Sequence, residues 1–230
     1  MQALPLIAPF TASEALRAVS TMNANSTPRS DGLGPGFYKV ASHSVSQDVM
    51  QFLNGFHAGT TQLDCMNRAH IVLLPNKEAA TTPSDFRPIS LQKCPVKILT
   101  KILTTRLQDQ IQSLVDNDQT GFIRGRSISE NFVYATELVQ CCHRRKQPTL
   151  VLKLDFAKVF DSVNWDSLHQ ILLSRGFPPL WLTWLTQILE TSRSAVLVNG
   201  CPGPWITYKW GLRQGDALSS YLFILVADVL

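Results

Sequence analysis

Two stretches of the chain hold residues whose types and spacing could do chemistry. In the first, Leu150, Leu152, Leu154 and Phe156 alternate with Val151, Lys153 and Asp155. This alternation predicts a strand over 149–156 with one face in a core and the other charged, and it places Asp155 at the strand's open end. A carboxylate there can hold a divalent cation in a cleft, because hard cations take charged oxygen ligands. It can equally cap a helix or pair with Lys153 on the same face. The second stretch is Gly211-Leu212-Arg213-Gln214-Gly215-Asp216, two glycines four apart ahead of an apolar run. Glycines let a backbone come close, and a helix start favours anions, so Arg213 and Gln214 would face a phosphate or sugar. The same residues also read as an ordinary glycine turn with Asp216 or Ser219 as the helix cap.

The elements that must position these residues can be read from periodicity. Residues 69–75 form a short apolar run ended by Pro75, which predicts a buried strand, with a hairpin to 86–91. Ile98, Leu99, Ile102, Leu103, Leu107, Ile111 and Leu114 recur at three and four, an amphipathic helix over 96–115 with Pro95 at a tolerated position and Lys97 and Lys101 on another face. Ser127 and Glu130 have the spacing of a capping box before Ile128, Phe132, Ala135, Val139 and Cys142. Asp161 and Asn164 offer caps for a helix through Leu168, Ile171 and Leu172 that Gly176 would stop. Residues 195–198 and 205–209 read as two strands around Asn199-Gly200. The glycine-rich stretch 30–36 reads as a plain loop, since no apolar strand precedes it and Pro35 lies inside it.

With 230 residues, 45% apolar and 17% charged, the chain is globular, which excludes disordered and collagen-like classes. The net charge of +4 and pI of about 8.9 fit a polyanionic partner. Five cysteines without a CxxC pair or paired histidine ligands indicate neither a disulfide framework nor a zinc site. The first ten residues lack a basic region and contain Pro5 and Pro9, unlike a secretion signal. The apolar run 218–230 is too short to span a bilayer and contains Ser219, Ser220 and Asp228. An intracellular protein with reduced thiols and no membrane segment is expected.

The motifs also resemble a known family. Asp155-Phe156-Ala157-Lys158-Val159-Phe160-Asp161 through Trp165, and Gly211-Leu212-Arg213-Gln214-Gly215-Asp216-Ala217-Leu218-Ser219, are similar to the first two palm motifs of LINE-type, non-LTR retrotransposon reverse transcriptases. Phe86-Arg87-Pro88-Ile89-Ser90-Leu91, Gln119-Thr120-Gly121-Phe122-Ile123-Arg124-Gly125-Arg126, Gly176-Phe177 and Val198-Asn199-Gly200 match that family's intervening blocks in the same order. The chain departs from the pattern at Ala217 and Ser220, where the family has Pro, and at Val159, where it has Ala.

The resemblance implies an α+β fold, a partial right-hand polymerase of fingers plus an incomplete palm with an antiparallel sheet and packed helices. Residues 1–72 would form an N-terminal arm and pre-fingers region, 73–148 the fingers-like region, and 149–230 a partial palm. It implies RNA-directed DNA polymerisation, adding dNTPs to a DNA primer on an RNA template by two-metal phosphoryl transfer in the nucleus. Asp155 and the Phe156 carbonyl would bind magnesium ions. Phe160 would screen the sugar 2′-position, Gln214 and Gly215 would pack on the incoming nucleotide with Arg213 nearby, and Arg87 and Lys77 would grip its triphosphate. Lys97, Lys101, Arg124, Arg126 and the basic turn Arg144-Arg145-Lys146 would contact the template. The family's third palm motif, an aromatic-Ala-Asp-Asp hairpin, would follow the last helix, and neither it nor the thumb is reached by Leu230. Without that pair Asp155 stands alone, so the chain by itself is expected to be inactive. The alternative is a non-catalytic RNA-binding fragment or a remnant.

Overall fold

Short polar or proline signals start most of the helices. The structure, a computed structural model, describes residues 3–26 and 31–229; Ser30, at the head of the expected glycine-rich loop, lies outside them. Helix α1 spans Ala3–Ile7, and Thr11 opens α2 (Ala12–Thr21) with a full capping box to Glu14. Helices α3 (Pro35–Val40) and α4 (Ser42–His57) complete the N-terminal layer. Strand β1 (Arg68–Pro75) turns through a 3-10 segment, Pro83–Asp85, into β2 (Phe86–Gln92). Pro95 sits in the first turn of α5 (Cys94–Ile111), where its missing N–H costs nothing. Then come α6 (Ile128–Arg144), α7 (Val159–Ser162), α8 (Trp165–Ser174), capped by the Asn164 side chain, and α9 (Pro179–Glu190). Strands β3 (Arg193–Val198), β4 (Cys201–Pro202) and β5 (Ile206–Thr207) precede α10 (Ala217–Ala227), capped by Asp216.

The sheet has the order β2-β1-β3-β4, with β5 also paired to β3. The expected hairpin forms, Val72 facing Ile89 in antiparallel register. The sheet is mixed rather than antiparallel throughout, because β1 and β3 run parallel, His70 beside Ala195. Asn199 and Gly200, with φ of 51° and 80°, make the tight turn between β3 and β4 that the Asn-Gly pair calls for. The second strand expected at 205–209 shrinks to the two residues of β5.

The core lies under α5, whose Ile98, Leu99, Leu107 and Ile111 are fully buried against Leu53, Phe56, Trp181, Trp184, Leu222 and Leu225. Each such side chain contributes on the order of 2 kcal/mol by leaving water. Arg106, buried in the same helix, ties down the N-terminal layer. Its guanidinium donates to the Leu6, Ala8 and Pro9 carbonyls and to both Glu14 oxygens, at 2.7 and 2.9 Å.

Two expectations are corrected. Residues 149–156 are not a strand; their apolar side chains, Leu152 at 74% among them, are exposed. A strand exists only beside a partner, and none of the described strands pairs with this segment. The helix expected from Ile128 forms as α6, but Ile128, Phe132, Leu138 and Val139 on it stay exposed too. Ser127 caps it through the Ser129 amide rather than in the expected box with Glu130.

Candidate nucleotide and nucleic-acid site

Residues 211–216 form a turn wedged between the α7 region and the free edge of β2. Gly211 N–H donates to the Val163 carbonyl at 2.7 Å and Leu212 N–H to that of Phe160 at 2.6 Å, while the Trp165 indole donates to the Gly211 carbonyl at 2.8 Å. On the other side the Ser90 amide of β2 donates to the Gln214 carbonyl at 2.9 Å. Both glycines are required. Gly211 and Gly215 have φ of 82° and 96°, and an added Cβ would come within 3.1 Å of the Phe160 carbonyl or 3.2 Å of that of Ser90.

The turn is pinned from beneath by buried polar groups. Arg213 donates to the Asn67 carbonyl at 3.4 Å and to its Oδ1 at 2.5 Å; Asn67 in turn donates to the Ile188 carbonyl at 2.7 Å and to Thr191 Oγ1 at 2.8 Å. Asp216 caps α10 through Leu218 and accepts from Gln92 Nε2 at 2.9 Å. Burial lowers the Arg213 pKa, and the nearby Asp216 charge opposes that fall.

The turn thus brings together Gln214, Gly215, the Phe160 backbone and the strand that carries Arg87. Phe160 is partly buried, its ring 5.3 Å from that of Phe223. Arg87 is exposed on β2. Arg213 does not face a ligand as the sequence suggested: it is 7% exposed and its guanidinium is spent on Asn67. Lys77 pairs with Asp85 at 2.8 Å across the hairpin end. That hydrogen bond, with those from the Thr82 and Thr81 amides, holds the Asp85 carboxyl well below its usual range. Arg126 is a loop clamp, donating to the Asp116 and Gln119 carbonyls at 2.5 and 2.7 Å. Lys97 and Lys101 lie one turn apart on α5 and are part-buried. Arg124 is exposed, and its charge partly offsets the burial that raises the Tyr221 pKa.

Asp155 and Phe156 stand on the exposed segment that leads into α7, away from any ladder. Among the described residues no group of three or more His, Cys, Asp or Glu could hold a metal ion. One carboxylate does not satisfy a magnesium ion, which prefers octahedral oxygen coordination, so these residues do not make a magnesium site by themselves. Asn67 and Gln92 escaped the sequence reading, since their partners lie more than a hundred residues away and an isolated amide in sequence carries no signal. Among the described residues no helix is long and apolar enough to cross a membrane.

A mixed sheet with helices packed on it and a glycine turn closing its edge makes an α+β fold. It is shared with a partial Cas6-RT-Cas1-Cas2 complex at a TM-score of 0.54 and 18% identity, over 99% of this chain and 34% of that one. Residues 74–230 match the reverse transcriptase (RNA-dependent DNA polymerase) family, and the chain belongs to it. The Transposon TX1 uncharacterized 149 kDa protein of Xenopus laevis is 28% identical over 96% of this chain and 17% of its own length. The Pol polyprotein of type-2 retrotransposable element R2DM from Drosophila melanogaster is 28% identical over 93% of this chain and 20% of its own length. These relatives are of the non-LTR class that the motifs resemble, and the chain spans no more than a fifth of the length of either.

Proposed function

We propose that this chain supplies the fingers and the first part of the palm of an RNA-directed DNA polymerase that adds dNTPs to a DNA primer on an RNA template. The reading rests on the turn at 211–216, which ties Phe160 to the edge of the strand bearing Arg87. A nucleotide held there has Gln214 and Gly215 against its base and sugar, Arg87 for its triphosphate, and the Phe160 ring where a ribose 2′-hydroxyl would clash. An arginine suits the triphosphate role because it stays charged and offers several donors. Lys101 and Arg124 are template contacts in this reading, Lys97 shares their region, and a chromosomal DNA primer places the work in the nucleus. Magnesium would be the cation of the reaction, and Asp155 and the Phe156 carbonyl are the groups of this chain that would help to hold it.

A second reading, non-catalytic RNA binding by these 230 residues alone, is favoured by the lack, among the described residues, of any group of three or more His, Cys, Asp or Glu that could hold a metal ion. The test of the nucleotide site is photo-cross-linking of radiolabelled dTTP to the chain, with unlabelled dTTP or UTP as competitor. We expect dTTP to compete better than UTP and Phe160→Ala to erase the difference. Equal competition by UTP in the unsubstituted chain would overturn the assignment.

A further inference from the structure

Phe160, the ring set against the sugar in the reading above, stands on an element that cannot place itself. Helix α7 is a single turn of four residues, none of them buried, and a turn that short has no stability of its own in water. The segment before it is exposed, and Lys158, which opens it, has a left-handed backbone with φ of 52°. The glycine turn holds the main chain here through the bonds from Gly211 to Val163 and from Leu212 to Phe160. Those bonds leave the Phe160 side-chain torsions unset. The ring itself meets Phe223 of α10, with centroids 5.3 Å apart and 33° between the planes. Phe223 is firmly placed, because Leu222 and Ile224 on either side of it are buried. It lies two turns beyond Asp216, so one helix carries the glycine turn at its start and the ring against Phe160 further along.

We propose that Phe223 is a positioning residue for sugar selection: it holds the Phe160 ring at the angle where a ribose 2′-hydroxyl would clash with it. Rings in tilted contact restrict each other, and a group that selects by shape works only when its own rotamer is locked by packing. An aromatic pair also fills a core. A purely structural Phe223 would act on every nucleotide alike, however, whereas a backing ring is felt by the 2′-hydroxyl alone. The inference rests on the proposed nucleotide site and adds to it a residue that acts through Phe160 rather than on the nucleotide.

The test is competition by unlabelled dUTP and UTP, which differ only in the 2′-hydroxyl, against cross-linking of radiolabelled dTTP, with thermal melting of every variant. Phe223→Leu keeps apolar bulk and removes the ring. UTP should then compete about tenfold better than with the unsubstituted chain, while dUTP stays within about twofold. Phe223→Tyr keeps the ring and should keep the preference. Phe223→Leu added to Phe160→Ala should change nothing further, since both act on one ring. A gain in UTP binding cannot come from partial unfolding, which separates positioning from lost structure. Phe223→Met, an unbranched filler of the same space, takes the place of leucine if that variant does not fold. A preference that Phe160→Ala erases and Phe223→Leu or Phe223→Met leaves unchanged would overturn the proposal, as would equal weakening of dUTP and UTP, and Phe223 would then be a core residue alone. If the unsubstituted chain shows no preference, or Phe160→Ala leaves it intact, the nucleotide-site reading itself fails and this inference falls with it.

Discussion

Asn67→Ala should loosen the turn that the proposed nucleotide site depends on. Asn67 is 1% exposed, and its side chain accepts from Arg213 and donates to Ile188 and Thr191. Alanine removes one hydrogen bond to a charged group, about 1.5–3 kcal/mol, and two neutral ones of about 1 kcal/mol each, and leaves the buried guanidinium with a single long contact to the Asn67 carbonyl. The expected loss is about 3–5 kcal/mol, a large part of the roughly 5–15 kcal/mol that holds a domain folded. Urea unfolding followed by circular dichroism measures that loss. Hydrogen exchange separates it from a general weakening, because the Ser90 amide donates to the Gln214 carbonyl and should exchange faster once the turn opens. A loss below about 1 kcal/mol with unchanged Ser90 protection would refute the reasoning and leave the turn to its Val163 and Phe160 anchors.

Arg106→Met should cost about 3–5 kcal/mol in the same unfolding assay, since it takes the charged partner from Glu14, which keeps only its Thr11 donors, and the donors from three carbonyls; a change under about 1 kcal/mol would deny Arg106 its tethering role. Burial alone would raise the Glu14 pKa, but the hydrogen bonds from Arg106 and Thr11 and the Arg106 charge outweigh it, so the folded value lies below the ordinary one. Its contribution is therefore present above the ordinary carboxylate range and is lost as pH falls through the folded value, and Glu14→Gln should flatten the loss of stability as pH falls below the ordinary carboxylate range. Gly215→Ala forces a side chain into a left-handed backbone with a 3.2 Å approach to the Ser90 carbonyl, and should lower stability by about 1–3 kcal/mol. The exposed apolar residues of α6 and 150–156 should drive concentration-dependent association in light scattering, which Phe132→Glu with Leu152→Glu should reduce.

Local signals were legible in the sequence wherever a few neighbouring residues decide the outcome. Pro95, Asn164, Gly176, Asn199-Gly200 and Asp216 each act within one turn, and each sits where its chemistry places it. The strand expected at 149–156 failed for the opposite reason: alternation describes a face but does not supply the neighbouring strand that a ladder needs. Arg213 misled because a cation beside glycines looks ligand-facing, whereas its acceptor, Asn67, is 146 residues away. The parallel pairing of β1 with β3 was equally hidden, since it joins segments separated by most of the chain.

The most direct test is primer extension by the 230-residue chain on a polyriboadenylate template with an oligothymidine primer and magnesium, run on a sample that also cross-links dTTP. We expect Phe160-dependent cross-linking without extension above background, because in the proposed reading Phe160, Gln214 and Gly215 hold the nucleotide while no group of three or more His, Cys, Asp or Glu among the described residues could hold a metal ion. Extension that is lost in Asp155→Ala would contradict this, showing that these residues complete a working metal site.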